Sequence, residues 1–504
     1  MAFVLAIDQS TSATKALLFD DAGRVVDREA RDHRQLYPQP GWVEHDAAEI
    51  WQNVLATTRA LVGRNAKRLD DLACVSIANQ RETVVAFDRA TGEPLCPAIV
   101  WQCRRSEALC AEIGAAGFGD RVHELTGLRI DPYFSGSKLL WLARNRQAVR
   151  ARVAGGDALV GTMDTYLVHR LTEGRVFATD PTNASRTLLY DIDRLAWDAG
   201  LCDLWDVPPA ALAEVRESAA NFGETTLGGA LRRPVPIAGV MGDSQAALFA
   251  QRCFEPGMAK VTFGTGSSVL LNIGATPQRS GHGVLTALAW VLDGRPVYAF
   301  EGIIISSAAT LAWLKDQLGL VRDIAEIERL AGELDDAGGV FLVPAFSGLG
   351  LPYWAPGARA AITGLSAHSD RRHVARAALE SMAYQLRDAL DAMQAESGVA
   401  LTALRADGGP TANRLLMQFV ADVTQGELSV PGAPECSAQG AAMMGMLGAG
   451  VHASLDDLAG SAAEARTYRP AMTPAAARAC HAGWRRAVGQ VLAAAEPDAH
   501  KENS

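Results

Sequence analysis

Apolar runs that stop at short polar turns recur along the chain and predict most of its β-strands. Residues 3–7 (FVLAI) are apolar throughout, residues 8–15 (DQSTSATK) form a polar turn, and an apolar run follows at 16–20. The same pattern returns in the second half, where apolar runs at 259–263 and 269–273 flank the turn GTGSS. Each pattern predicts a β-hairpin. Its repetition predicts two related domains that each bring a hairpin turn to a shared cleft.

Further strands and helices are predicted from the same periodicities. A helix begins near Ala47 with Asp46 as its N-cap. Residues 371–396 carry apolar positions at helical spacing and predict one long helix, and a shorter helix is predicted from about 305 to 318. The remaining predicted strands lie at 72–77, 84–87, 235–240, 285–289, 297–300 and 401–406.

An acidic residue marks the end of the strand predicted at 235–240. Asp243 follows Gly242 in a turn of small residues, and a helix-like run comes after it. The carboxyl end of a strand is a common position for a catalytic carboxylate in an α/β protein. At this point the alternative, that Asp243 only caps a helix, stays open.

Two glycine-containing turns have the chemistry to hold phosphate groups. The turn from Gly264 to Ser268 directs backbone N–H groups and hydroxyls at one spot, which suits phosphate oxygens. Gly408 and Gly409 lie between a strand and a helix, so a ligand can approach the backbone closely and meet the positive end of the helix. We interpret this second turn as the nucleotide side of the cleft. The alternatives are an ordinary hairpin and a capped strand–helix connection.

Two adjacent opposite charges, Arg81 and Glu82, separate two of the predicted strands. A guanidinium beside a carboxylate offers donors and acceptors together, which suits vicinal hydroxyl groups. The alternative is an exposed turn closed by a salt bridge. Trp101 and Tyr133 follow in later turns as candidate ligand-facing aromatics, with burial in the core as their alternative.

Composition narrows the class of protein and of partner. The chain has 504 residues, 49% of them hydrophobic and 21% charged, which predicts two large domains. A net charge of −10 with both signs interspersed argues against nucleic acid or an anionic membrane as partner. No uncharged apolar run has the length of a membrane span, and the start MAFVLAIDQS lacks the basic region of a signal peptide. The eight cysteines form no C-x-x-C pair, which predicts reduced thiols in a cytoplasmic protein.

Longer blocks of the sequence are similar to one family. The stretch YFSGSKLLWLARN at 133–145 and the stretch AAITGLSAHSDRRHVARAALE at 360–380 match its two signature regions. The blocks NQRET at 79–83 and TDPTNASRT at 179–187 match it as well. On these residues the chain resembles the FGGY carbohydrate kinases, and within them the glycerol kinases, over nearly its whole length.

The resemblance implies an α/β fold of two ribonuclease-H-like domains, the architecture of actin, hexokinase and the chaperone ATPases, which flank a catalytic cleft. It implies an N-terminal domain at 1–246, a C-terminal domain at 247–496 and a tail at 497–504. It also implies ATP and Mg²⁺, with the γ-phosphate transferred to a terminal hydroxyl of a small polyol. A homodimer or homotetramer is expected on the same ground.

The resemblance further implies a role for each candidate site residue. Asp243 is implied to be the general base for the attacking hydroxyl, and Asp8 to hold magnesium through water. The residues implied to line the polyol site are Arg81, Glu82, Trp101, Tyr133, Asp243, Ser244 and Ser268. The residues implied to contact the nucleotide are Thr11, Ser12, Lys15, Gly264, Thr265, Gly266, Ala308, Gly409 and Asn413.

Several positions differ from the usual glycerol kinase pattern. Ser244 stands where those enzymes usually carry glutamine, and Ser268 where they usually carry phenylalanine. Both changes replace a large side chain with a small hydroxyl, so we expect glycerol or a longer acyclic polyol, such as a tetritol, as the substrate. The stretch GGALRRP at 228–234 lacks the loop through which bacterial members bind fructose 1,6-bisphosphate, and that regulation is not expected. A pentulose kinase and a non-catalytic family member are the alternatives.

Overall fold

The structure, a computed structural model, describes residues 2–432, 435–459 and 465–495. The tail expected at 497–504 lies outside the described residues. Strands and helices alternate along most of the described chain, which makes the protein α/β.

The strands are β1 Phe3–Gln9, β2 Ala13–Asp20, β3 Val25–Asp32, β4 Gln35–Leu36, β5 Glu44–His45, β6 Leu72–Asn79, β7 Val84–Asp88, β8 Ala98–Ile99, β9 Ala158–Thr162, β10 Ala178–Thr179, β11 Tyr190–Asp191, β12 Ala196–Trp197, β13 Glu214–Val215, β14 Glu224–Thr225, β15 Val235–Gly242, β16 Met258–Phe263, β17 Ser267–Gly274, β18 Leu285–Leu292, β19 Arg295–Ile304, β20 Phe341–Val343, β21 Ala361–Thr363, β22 Ala403–Asp407, β23 Leu428–Pro431 and β24 Ala465–Tyr468.

The α-helices are α1 Ala47–Asn65, α2 Glu107–Ala115, α3 Gly119–Thr126, α4 Ser135–Asn145, α5 Gln147–Ala154, α6 Met163–Leu171, α7 Pro181–Ala184, α8 Ala199–Leu204, α9 Asp243–Ala250, α10 Ala308–Asp316, α11 Ile324–Gly332, α12 Arg371–Ser397, α13 Arg414–Thr424, α14 Cys436–Gly448, α15 Leu455–Ala459 and α16 Pro474–Ala495. Short 3₁₀ helices lie at Leu69–Asp71, Pro209–Ala211 and Gly409–Ala412.

The first large sheet is built on β1, all of whose seven residues are buried. β1 pairs antiparallel with β2 and parallel with β6, in the strand order β14-β15-β6-β1-β2-β3. Because apolar side chains emerge on both faces of β1, both faces need cover. Helix α1 covers one face and α14 the other. The predicted N-terminal hairpin is confirmed, and its register places Asp8 opposite Lys15.

The second large sheet repeats this arrangement. β16 pairs antiparallel with β17 and parallel with β22, in the strand order β18-β19-β17-β16-β22-β23-β24. The antiparallel strands number three in the first sheet (β1, β2 and β3) and four in the second (β16, β17, β19 and β18), and in both sheets parallel strands continue the sheet beside the first strand of the hairpin. The second predicted hairpin and the expected pair of related α/β domains are thereby confirmed. The predicted long helix is α12, which is capped by Asp370 and ends at Gly398 with a φ of 68°.

The helices α9 and α14 pack between the two large sheets. One apolar cluster joins Val4 of β1 and Leu270 of β17 to side chains of both helices. A Cβ atom at Gly440 of α14 would overlap the carbonyl oxygen of Ala246 in α9, so only glycine lets the two helix backbones meet at this separation. The two halves of the chain therefore share one continuous core around the start of α9.

No helix in the described ranges has the length and apolar character needed to cross a membrane. None of the eight cysteines, all of which lie in the described ranges, forms a disulfide, and six of them are buried. Burial raises the pKa of Cys74 and of Cys253 to about 12, so neither thiol ionises near neutral pH.

The contact between α9 and α14 gives a first prediction. Gly440→Ala should lower the free energy of unfolding by about 2 kcal/mol or more, because the added methyl group meets a backbone oxygen that cannot move aside. Urea unfolding followed by circular dichroism measures the change. Gly489→Ala is the matched control in α16, because an added Cβ there meets no atom within 4 Å. The control should stabilise by about 0.5–1 kcal/mol, and equal effects of the two substitutions would contradict the close contact.

Candidate active site

Asp243 is the first residue of α9, immediately after β15. Its carboxylate is 33% exposed and lies 3.5 Å from Nε of Arg81. The backbone N–H of Ser244 donates to Asp243 Oδ1 at 2.6 Å. The N-cap of α9 is Gly242, so the alternative that Asp243 merely caps the helix is wrong. A helix N-terminus favours a negative charge, and the carboxylate lies there at a partly accessible position.

Arg81 and Glu82 are buried, 5% and 1% exposed respectively, and the alternative of an exposed turn is wrong. Arg81 Nη1 donates to Oε1 of Gln245 at 3.2 Å, and its Nε also lies 3.8 Å from Oε1 of Glu82. Glu82 has a φ of 61°, a strained backbone conformation of the kind found at functional sites. Burial raises the pKa of Glu82, and the two arginines beside it oppose the rise.

Two further charged residues complete this cluster, and the sequence reasoning missed both as site residues. Arg186 donates from Nε to Oε1 of Glu82 at 2.7 Å, and its Nη2 forms an ion pair with Oε2 of Glu301 at 2.6 Å. Arg81 Nη2 donates to Oε1 of Glu301 at 2.7 Å. Burial would raise the pKa of Glu301, but Arg186 and Arg81 together outweigh it and lower the pKa to about 2. The buried charge cluster (Arg81, Glu82, Arg186 and Glu301) thus contains two positive and two negative groups.

Trp101 and Tyr133 are half-buried and pack edge to face, with ring centroids 5.4 Å apart. Trp101 Nε1 donates to Oγ1 of Thr11 at 2.9 Å, so the aromatic pair is tied to the turn of the first hairpin. Burial raises the pKa of Tyr133, which keeps its hydroxyl protonated. Both rings border the same apolar cluster as Ile303 of β19.

A buried lysine holds the main chain around Tyr133. Lys138 is fully buried, and its Nζ donates to the carbonyl oxygens of Pro132 at 2.6 Å, Tyr133 at 2.5 Å and Phe134 at 3.2 Å. Burial lowers its pKa to about 8. The sequence signal was present, since this lysine lies inside the first signature stretch.

Ser244 and Ser268 are both half-buried. Ser268 lies on β17 between Thr262 of β16 and Ile303 of β19. Its Oγ is buried and has no hydrogen-bond partner among the described residues. A hydroxyl without a partner at this position is available to a ligand or a water molecule.

Asp8 and Lys15 face each other across the first hairpin. Asp8 is 4% exposed, and its Oδ2 lies 3.6 Å from Lys15 Nζ, which donates to Oε2 of Glu435 at 2.6 Å. Burial raises the pKa of Asp8 to about 6; Lys15 opposes the rise, while Asp243 and Glu435 add to it. Lys15 is therefore engaged with acids from both halves of the chain. At the tip of the same turn, Thr11 is half-buried and Ser12 is exposed.

The surroundings of Asp8 fit a magnesium ion. Its Oδ1 is buried and has no hydrogen-bond partner within the described ranges. The negative charge of Asp243 is close enough to contribute to the raised pKa of Asp8. The described residues contain no group of three or more His, Cys, Asp and Glu side chains that could hold a metal. Magnesium is commonly bound by one or two carboxylates together with water and substrate phosphates, so a single acid at this place suits it.

The second hairpin turn docks on the start of α10. The carbonyl of Gly264 accepts the N–H of Ala308 at 2.9 Å, and the carbonyl of Thr265 accepts the N–H of Ser307 at 2.9 Å. A Cβ at Gly266 would lie 2.6 Å from the carbonyl oxygen of Ile304, so this position requires glycine. Thr265 is exposed at the tip of the turn.

The glycine turn after β22 lies next to this hairpin. Gly408 has a φ of 94°, and a Cβ there would overlap the carbonyl oxygen of Phe263. Gly409 has open space around its Cα and begins a 3₁₀ helix. Asn413 caps α13, because its Oδ1 accepts the N–H of Leu416 at 2.8 Å. This turn therefore contains a helix cap at Asn413, as the alternative interpretation predicts. It also leaves space at Gly409 for a ligand to approach the backbone.

Lys260 of β16 is a further charged residue at the candidate site, and it is not predicted from the sequence. It is fully buried and donates from Nζ to Oγ1 of Thr262 at 2.8 Å. Burial lowers its pKa, and Asp407 on the glycine-turn side and Asp243 oppose the change. The structure therefore brings Asp8, Asp243 and the buried charge cluster together, and Lys260 links them to the second hairpin.

Two related domains that each carry a hairpin, with the accessible carboxylate of Asp243 near Asp8 of the first hairpin, fit a phosphate-transferring α/β protein, and the chain matches one family throughout. The protein belongs to the FGGY family of carbohydrate kinases, whose N-terminal domain matches residues 3–250 and whose C-terminal domain matches residues 259–449. It is an ATP-dependent kinase that transfers phosphate to an alcohol group.

Individual relatives agree with this assignment. The chain is 46% identical to the glycerol kinase of Shewanella pealeana over 96% of this chain and 98% of the relative, and 45% identical to that of Desulfitobacterium hafniense over 97% and 99%. A solved structure of Plasmodium falciparum glycerol kinase with ADP is 34% identical, with a TM-score of 0.92 and 98% of both chains covered. A xylulose kinase from Rhodospirillum rubrum is 24% identical with a TM-score of 0.87 over 98% of this chain and the whole of that chain, and that likeness concerns the fold alone.

His45 is a buried histidine that is connected to β1 of the first hairpin through Gln80. Gln80 Nε2 donates to Oε1 of Gln9 at 3.0 Å and lies 3.3 Å from Nδ1 of His45. The rings of His45 and His33 meet edge to face at 4.7 Å. Burial, together with the neighbouring His33, lowers the pKa of the fully buried His45 to about 3.

His45→Asn should make the free energy of unfolding less dependent on pH below pH 6. The pKa in the folded protein, about 3, lies below the ordinary value of 6.5, so the unfolded chain binds an extra proton between these two values. As the pH falls from about 6 to about 4, the wild-type protein should therefore lose about 1.4 kcal/mol of unfolding free energy per pH unit through this residue. Urea unfolding at several pH values measures the slope. The exposed His368→Asn should keep the wild-type slope, and an unchanged slope in His45→Asn would contradict the prediction.

Proposed function

We propose that the protein transfers the γ-phosphate of ATP to a terminal hydroxyl of glycerol or of a closely related acyclic polyol, with Asp243 as the general base. The observation that carries this proposal is the partly exposed Asp243 carboxylate at the start of α9, 3.5 Å from Arg81 Nε. Arg81 contacts Glu82 as well, and Tyr133, with Trp101 against its ring, lies near both of these charges. The names of the relatives support the same substrate class.

In the proposed reaction Arg81 and Glu82 hold two hydroxyls of the polyol, and Trp101 and Tyr133 pack against its carbon chain. Asp243 accepts the proton of the attacking hydroxyl. The hydroxyl oxygen forms a bond to the γ-phosphorus, the bond between that phosphorus and the β–γ bridging oxygen breaks, and the electron pair of that bond leaves with ADP. Such transfers depend mainly on in-line positioning and on charge neutralisation.

The two hairpin turns are proposed to hold the phosphates from opposite sides. Thr11, Ser12 and Lys15 contribute from the first turn, and Thr265 with Gly264 and Gly266 from the second. Asp8 would hold Mg²⁺, which when bound supplies positive charge to the phosphate oxygens. Gly409, Asn413 and Ala308 are proposed to contact the nucleotide. Closure of the cleft excludes water, so that the phosphate passes to the polyol and is not hydrolysed.

A tetritol is the second candidate substrate. The buried Ser268 Oγ without a partner favours it, because a fourth hydroxyl can supply one. Measurement of kcat/KM on glycerol, erythritol, threitol, xylitol and a pentulose, each with ATP, tests the proposal. A preference for a three- or four-carbon polyol supports it, and a preference for the pentulose replaces it.

Asp243→Asn should lower kcat by about 10²–10⁴-fold, the usual contribution of a general base. Because the amide keeps the size of the side chain and the start of α9, the KM for ATP should stay within about threefold of the wild-type value. Steady-state assays of ADP release measure both constants. Asp120→Asn, at an exposed position in α3, is the control and should leave kcat unchanged. Wild-type kcat in Asp243→Asn would exclude the proposed base.

Ser268→Phe should separate the two candidate substrates. In the proposed site the added ring takes up room that the fourth carbon of a tetritol needs, so kcat/KM on a tetritol should fall by about tenfold or more. Activity on glycerol, which is one carbon shorter, should change by less than about threefold. The ratio of the two kcat/KM values, measured on one enzyme preparation, is the readout. A ratio equal to that of the wild-type enzyme would contradict a pocket bounded by Ser268.

A further inference from the structure

The guanidinium of Arg81 has a different acceptor at each of its nitrogen atoms. Nη2 donates to Glu301 Oε1 at 2.7 Å, Nη1 donates to Gln245 Oε1 at 3.2 Å, and Nε faces Asp243 Oδ1 at 3.5 Å. The shortest of these contacts goes to Glu301, which lies on β19 of the second large sheet. Arg81 itself follows β6 of the first sheet. The orientation of the Arg81 guanidinium is therefore set by a carboxylate from the other half of the protein.

Glu301 also acts on Glu82 through a second arginine. Its Oε2 forms an ion pair with Arg186 Nη2 at 2.6 Å, and Arg186 Nε donates to Glu82 Oε1 at 2.7 Å. The side chains of Arg186 and Glu301 are each 0% exposed, so water cannot replace either partner. Removing one carboxylate from such a cluster leaves a buried positive charge that must find another acid.

We propose that Glu301 is a positioning residue for the polyol site, which it organises from the opposite domain through Arg81 and Arg186. The inference rests on the proposed function, in which Arg81 and Glu82 hold the substrate hydroxyls. Without Glu301 the nearest remaining acid for Arg81 on the cleft side is Asp243. The guanidinium then turns toward Asp243, which withdraws a donor from the polyol and occupies the carboxylate that must accept the proton.

Glu301→Gln tests the inference, because the amide keeps the shape of the side chain and removes its charge. The KM for the polyol should rise by about 10–100-fold, the range expected for a lost charge-assisted hydrogen bond. The KM for ATP should change by less than about threefold, since no candidate nucleotide residue contacts Glu301 in the described part of the chain. Thermal unfolding is measured in parallel.

Glu380→Gln is the matched control. Glu380 is also buried, at 5% exposure, lies in the same half of the chain and accepts from Arg376 Nε at 2.7 Å. It belongs to α12, and the residues that shift its pKa (Arg376, Asp336 and Tyr384) are not candidate site residues. It should lower the melting temperature and leave the polyol KM within about twofold of wild type. An equal rise of the polyol KM in both variants would show a general effect of destabilisation and overturn the inference.

Arg186→Lys provides a second, independent variant if Glu301→Gln does not fold. It keeps the charge and loses the fork that joins Glu301 to Glu82, so the polyol KM should again rise while the KM for ATP holds. A wild-type polyol KM in either variant overturns the role of Glu301. A wild-type enzyme that phosphorylates none of the tested polyols is a different outcome: it refutes the proposed function, and the inference falls with it.

Discussion

The candidate site depends on the pairing of four buried charges. Arg81, Glu82, Arg186 and Glu301 are removed from water, and each would be costly to bury alone. Their contacts of 2.6–2.7 Å offset that cost only when all four are present. Glu301 lies on β19 of the second large sheet, whereas the other three residues belong to the N-terminal half of the chain. This part of the candidate site therefore needs both halves of the chain, and Asp243 lies beside Arg81 at the same junction.

Local patterns in the sequence were sufficient for most of the fold. The sequence predicts the hairpins around Asp8 and Thr265 and the helix after Asp46. It does so because apolar runs, polar turns and helix caps are each formed by residues that are adjacent in the sequence. The helix predicted from about 305 begins instead at Ala308. Its first N–H groups are bonded to the turn at Gly264, a contact between segments that periodicity does not report.

The site was predicted less completely, because its missing members are defined by distant partners. Glu301 lies within an apolar strand and pairs with Arg81, 220 residues earlier, and nothing near it in the sequence announces that contact. Lys260 is likewise a single charge within an apolar run. The local sequence around Arg81 and Glu82 predicts only a polar turn. It does not predict their burial, because the residues that bury them belong to other elements of the fold. The roles implied for the candidate site residues, Asp243 and Asp8 included, remain predictions.

The glycines of α14 have a consequence for how firmly Asp243 is held in place. At Gly440 and Gly445 the helix backbone touches a carbonyl of α9 and the side chain of Ser76, with no layer of side chains between them. A shift of α14 along α9 or along β6 would therefore bring main-chain atoms into overlap. Asp243, the first residue of α9, is thereby held rigidly relative to the sheet that carries Asp8, and the acidic part of the candidate site is a fixed part of the fold.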